Sequence, residues 1–109
     1  MSTAPTSFED FWLSFVADHK SAQNRWAHVA GLTAGALGLS VAVARKSPVP
    51  LVLGAAAAGA FAVLGHPVFE GNRAKNFGRP AFAARAFMRL CLRTITGAID
   101  EDLARAAAR

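Results

Sequence analysis

A chain of 109 residues makes one domain at most. Apolar residues are 53% of it and charged residues only 17%, and the mean hydropathy of +0.30 is high for a soluble domain. The net charge of +5 does not point to nucleic acid, because the arginines are spread along the chain and form no readable motif. Basic residues beside apolar runs fit an anionic membrane surface better. Cys91 stands alone, which excludes a disulfide framework and a paired-cysteine metal knuckle.

Residues 1–6 read as a polar tail. They lack the basic start and apolar run of a signal peptide, so no cleavable leader is expected. Thr6-Ser7-Phe8-Glu9 has the character of a capping box, with Thr6 reaching forward and Glu9 reaching back. Phe8, Phe11, Trp12, Phe15 and Val16 follow at helical spacing, while Glu9, Asp10, Ser14 and Asp18 fall off that face. The pattern predicts an amphipathic helix over about 7–19, lying in a membrane interface or covering neighbouring helices. Trp12 and Trp26 read as interface anchors.

Residues 26–44 are uncharged and close to the ~20 residues that cross a bilayer core. Gly31 and Gly35 form a GxxxG pattern, continued by Ala34 and Gly38, which lets helix backbones approach. Arg45-Lys46-Ser47-Pro48-Val49-Pro50 is a short turn, and residues 49–65 are apolar again. Two such runs joined by a short turn are antiparallel neighbours. A soluble domain of this size has too little core to surround both. The small-residue faces also offer a homo-oligomer contact. After Gly65 come Arg73, Lys75, Arg79, Arg85, Arg89 and Arg93, against Arg45 and Lys46 in the turn. The positive-inside rule then places both termini in the cytoplasm, in the inner (cytoplasmic) membrane if the cell is bacterial.

Asn76 to Pro80 reads as a loop. Residues 81–98 read as an interfacial helix whose Arg85, Arg89 and Arg93 snorkel to headgroups, ended by Gly97 and followed by a charged, alanine-rich tail. The expected fold is therefore all-α. It is a single membrane domain over 1–109, a hairpin of two spans flanked by N- and C-terminal amphipathic interfacial helices.

All three histidines lie at the ends of the apolar runs. His19 and His28 are nine residues apart, on opposite faces of any continuous helix, so they share a site only if the chain breaks between them. Ser21 and Asn24 are candidate N-caps for such a break. His66 and Glu70 are neighbours at i and i+4, with Pro67 disfavouring helical geometry at His66. A hairpin brings both clusters to one end. His19, His28, His66 and Glu70 then make a His/carboxylate set suited to Fe(II), Zn or Mn, and one with open positions suits a non-haem iron that activates oxygen. Asn24, Arg25, Asn72 and Arg73 would support the ligands or hold an anionic headgroup.

At these residues the chain resembles the 2-hydroxy-fatty-acid dioxygenases of phytosphingosine breakdown and their small bacterial relatives. Phe8-x-x-Phe11-Trp12, then His19-x4-Asn24-Arg25-x2-His28-x2-Gly31, is similar to the family's opening. Gly65-His66-x2-Phe69-Glu70-x-Asn72-Arg73 is similar to its second motif, continued by Phe77-x-x-Pro80, although Ala74 stands where the pattern has proline. The similarity covers about residues 8–100. It implies an Fe(II)-dependent membrane enzyme that uses O2 to shorten a 2-hydroxy fatty acid by one carbon, releasing CO2. It implies His19, His28 and His66 as iron ligands, Glu70 as a further ligand or supporting group, and Arg25, Asn72 and Arg73 near the substrate carboxylate. Two rivals stay open. One is a non-catalytic small integral membrane protein with a structural, assembly or lipid-organising role; the other is a carrier of haem or metal.

Overall fold

The computed structural model describes residues 7–74 and 78–109. In chain order it contains α1 (Phe8–Ala17), α2 (Ala22–Arg45), α3 (Val49–Gly65), a π-helical turn (His66–Glu70), α4 (Pro80–Thr96) and α5 (Ile99–Ala107), with no strand among the described residues. Thr6 and Phe77 lie outside the described residues, as do Lys75 and Asn76. The cap of α1 falls on Ser7, whose hydroxyl accepts from Asp10 N at 3.2 Å. Glu9 pairs with Arg89 at 3.1 Å; the backward bond expected of it falls on Thr6, outside the described residues.

Two helices, α2 and α3 with its π turn, are long and apolar enough to cross a membrane as a hairpin. At ~1.5 Å per residue, the 24 residues of α2 extend about 36 Å, more than the ~30 Å of a bilayer core. Their apolar windows are mostly uncovered by the rest of the protein. Leu37, Leu39 and Val43 on α2, with Val52, Leu53 and Leu64 on α3, all point outward. The fold itself leaves more than half of each such side chain uncovered, so they need an apolar surrounding.

The hairpin is closed by chemistry local to the turn. Lys46 adopts the left-handed conformation at φ 52° and ends α2. Its N–H bonds to Val43 O at 3.3 Å and that of Ser47 to Ala42 O at 3.1 Å, the paired bonds of a Schellman cap. Pro48 caps α3 and Pro50 occupies its first turn, where a missing N–H costs nothing. Along the arms the glycine pattern is used within the chain. A Cβ on Gly38 would meet Pro50 O at 2.5 Å and the Cα of Gly54 at 2.8 Å, so the two backbones touch there.

The remaining helices form a small packed body at the open end of the hairpin. Phe8, Phe11, Trp12, Phe15 and Val16 of α1 are buried against Ala86 and Leu90 of α4 and Ile99 of α5. Trp12 is 0% exposed, so it is core and not an interface anchor, whereas Trp26 is exposed. Phe82 packs edge-on to Phe8 and Phe11 at 5.6 and 5.4 Å between ring centres. The arginines of α4 turn inward to this body. Arg85 lies over the Phe8 ring at 3.9 Å, and Arg93 pairs with Asp102. The C-terminal tail is thus helical: the acidic first turn of α5 complements its dipole and meets Arg93.

Candidate metal centre

His19 lies in the turn between α1 and α2, His28 in the second turn of α2, and His66 at the end of α3. The break that brings the first two together is capped by Ser21, whose hydroxyl accepts from Asn24 N at 3.4 Å. Arg25 clamps the same turn, its Nη1 donating to His19 O at 2.9 Å and to Lys20 O at 2.7 Å. A Cβ on Gly65 would collide with the carboxamide of Asn24, so glycine there allows α3 to approach the start of α2.

Pro67 does not push His66 out of helical geometry. His66 stays at φ −65°, ψ −57°, and the following turn widens so that Gly71 N–H bonds to His66 O, five residues back. The wide turn accommodates a residue with no N–H to give, and it aims His66 inward.

The three imidazoles are buried together. Their ring centres are 4.5 Å apart for His19–His66, 4.8 Å for His19–His28 and 5.3 Å for His28–His66, each pair near perpendicular. One ring nitrogen of each lies within 4.8 Å of the other two. The Nδ1 atoms all have oxygen partners. His19 Nδ1 contacts Phe15 O at 2.5 Å and His28 Nδ1 contacts Asn24 O at 2.8 Å. Carbonyls only accept, so both nitrogens carry the proton. His66 Nδ1 lies 2.7 Å from Asn72 Oδ1, and Asn72 Nδ2 donates to Asp18 O at 3.1 Å. That second bond fixes the amide orientation, so His66 also donates from Nδ1.

Each Nε2 is left with an unshared pair, and that of His19 is buried with no partner. Burial holds the His19 imidazole far below its usual pKa, at about 3, with the nearby His28, His66 and Arg25 lowering it further against the opposing Phe15 carbonyl. It is therefore neutral at physiological pH. Three imidazoles gathered with their second nitrogens toward one another are a ligand set for a divalent metal, each ring fixed through its Nδ1. The residues fit such an ion, and three ligands leave coordination positions for substrate or oxygen.

The other expected site residues divide. Glu70 does not join the imidazole group; its Oε1 accepts from Ser21 N at 2.8 Å and Asn24 Nδ2 at 3.2 Å, placing a carboxylate at the N-terminus of α2. Arg25 and Asn72 are spent on His19's turn and on His66. Arg73 is exposed, and Ala74 beside it lines a cavity of about 250 Å³ that all three histidines touch. Sequence reasoning missed Phe15, which supplies His19 with a carbonyl and a stacked ring at 4.2 Å, and Phe87, 5.7 Å from His28. The i, i+4 spacing of Phe15 with His19, repeated by Asn24 with His28, carried the first signal. Phe87 approaches from a distant helix and left none.

An all-helical hairpin of membrane-spanning length with a buried three-histidine cluster at its open end defines the class of protein. Within that class the chain belongs to the family described as 2-hydroxy-palmitic acid dioxygenase Mpo1-like, whose model matches residues 5–99. No curated protein and no solved structure matches it.

Proposed function

We propose that this protein is an Fe(II)-dependent dioxygenase of the membrane that shortens 2-hydroxy fatty acids by one carbon. The observation that carries the reading is the tautomer of the three histidines: every Nδ1 donates to oxygen, so every Nε2 is free to ligate. Family membership supports the substrate class, since the family name specifies 2-hydroxy-palmitic acid and a dioxygenase. The reaction balances without an added reductant. One 2-hydroxy acid and one O2 give the shorter acid, CO2 and water, and the substrate supplies all four electrons.

Iron held by His19, His28 and His66 would supply oxygen activation. The protein's own residues supply position and enclosure. Phe15 O, Asn24 O and Asn72 Oδ1 hold the three rings. Phe15 and Phe87 help to keep bulk water from the centre. Glu70 acts through the cap of α2, so we assign it a supporting role and not a ligand position. Arg25 and Asn72 likewise act on the ligands, and Arg73, exposed and next in the chain to the cavity-lining Ala74, is the cation we assign to the substrate carboxylate. Both termini belong on the cytoplasmic side, which sets the centre at the inner bilayer surface where the headgroup of a fatty acid lies.

The test is aerobic incubation of Fe(II)-loaded protein with 2-hydroxypalmitate, followed by fatty-acid analysis. A product one carbon shorter is expected from the wild type and not from His66→Ala, which should also lose iron. Iron content should survive Glu70→Gln, which keeps the accepting oxygen. Intact protein that holds no divalent metal would sink the reading, and iron bound without any shortened product would remove the reaction.

A further inference from the structure

The cavity beside the imidazoles has a floor and walls of different chemistry. Its floor is the three histidines with Phe15 and Phe87. Its walls are Ala62 and Val63 from α3 and Ala83 and Ala84 from α4. Val63 and Ala84 are exposed, so the gap opens sideways between the two helices. It opens on the flank of a helix long and apolar enough to span a bilayer, not into the packed body of α1, α4 and α5. Apart from the imidazoles, the lining is apolar.

Size then limits what can enter. At about 250 Å³ the cavity is smaller than the ~300–1,000 Å³ that encloses a drug-sized ligand. A long acyl chain does not fit inside it. A larger apolar groove of about 400 Å³ runs past Ala57, Ala60 and Phe61, but no histidine touches it, so it gives no route to the centre.

We propose that the α3–α4 gap is a lateral acyl channel, which encloses only the first carbons of a fatty acid and leaves the tail in the lipid. The inference rests on the dioxygenase reading and deepens it. Selection then acts at the reacting end alone. The alanine walls admit a straight methylene chain and exclude one branched beside the head. Chain length and bulk at the far end go unread, because the tail moves only from one apolar surrounding to another. Ala62 and Ala84 are the specificity-determining positions, since any larger side chain there narrows the gap.

Binding tests this without turnover. Fe(II)-loaded protein in lipid nanodiscs, kept free of oxygen, is assayed for retention of radiolabelled 2-hydroxypalmitate against competitors. A longer 2-hydroxy acid, and one carrying pyrene at its tail end, should compete as well as 2-hydroxypalmitate itself. An acid with two methyl groups on its third carbon should not compete. Ala84→Phe and Ala62→Leu should each weaken retention about tenfold or more with iron content unchanged. Ala60→Phe, in the other groove, should bind as wild type. Wild-type binding by both wall variants, or rejection of the pyrenyl acid, overturns the channel and leaves the dioxygenase reading standing. Iron-loaded wild type that retains no 2-hydroxypalmitate overturns both.

Discussion

Asn72 serves two partners through one carboxamide. Its Nδ2 is anchored on Asp18 O, and that anchor turns Oδ1 toward His66 Nδ1. Asn72→Ala removes the acceptor that keeps the proton off Nε2. Loss of such a supporting partner typically costs about 10–100-fold in metal affinity. Iron titration of Asn72→Ala should show a loss of this size with helicity intact, whereas an unchanged affinity would mean that His66 is oriented by packing alone. His19 makes the metal-free protein acid-sensitive. Its folded pKa, about 3, lies below the ordinary 6.5, so between these values the unfolded chain binds a proton that the folded chain does not. Stability therefore rises with pH across that window and is lost as pH falls from 6.5 toward 3. Denaturant unfolding of metal-free protein at descending pH should show the loss, and bound metal should shift it to lower pH because protons and metal compete for one nitrogen. A profile flat below 6.5 would contradict the buried neutral state.

Between α2 and α3 the contact is backbone on backbone, and Gly38 is its tightest point. Gly38→Val would drive side-chain atoms into Pro50 O and Gly54, which cannot move without unseating the turn. Overpacking of this kind costs about 1–3 kcal/mol. Unfolding in detergent should report that loss, and the same substitution at Gly59, where a Cβ meets nothing, should not. Both the hairpin and the meeting of its histidines were legible in sequence, because long uncharged runs, a proline turn and Ser21 are local signals. What α1 packs against was not. Its aromatic face serves equally well for lipid or protein, and the choice went to Ala86, Leu90 and Ile99, which lie far along the chain. The arginine repeat misled for a related reason: three basic residues at four-residue spacing fit headgroups, but Phe8, Glu9 and Asp102 supply rings and carboxylates within reach. The helix of the tail carried a readable sign in Ile99, Leu103 and Ala106 at i, i+4 and i+7 behind an acidic first turn. The π turn had none beyond Pro67.

Taken whole, the molecule is elongated, with extents of 49 × 28 × 23 Å, and its two ends differ in chemistry. One end is a bare turn with Arg45 and Lys46; the other gathers α1, α5, the histidines and the basic α4. The proposed topology puts that second end in the cytoplasm, since more basic residues resist transfer across the membrane there. A single native cysteine makes this simple to test. Cys91 is fully buried, and burial pushes its thiol up to about 11, so it stays protonated and unreactive toward maleimide. A cysteine placed at Ser47, in the turn, should then be labelled in intact cells by a maleimide that cannot cross the membrane. One placed at Ala108, after α5, should be labelled only once the membrane is opened. The reverse pattern would invert the topology and move the histidine cluster to the outer surface. Labelling of both positions in intact cells would mean that the hairpin does not span, and the outward-facing leucines and valines of α2 and α3 would then need a protein cover in place of lipid.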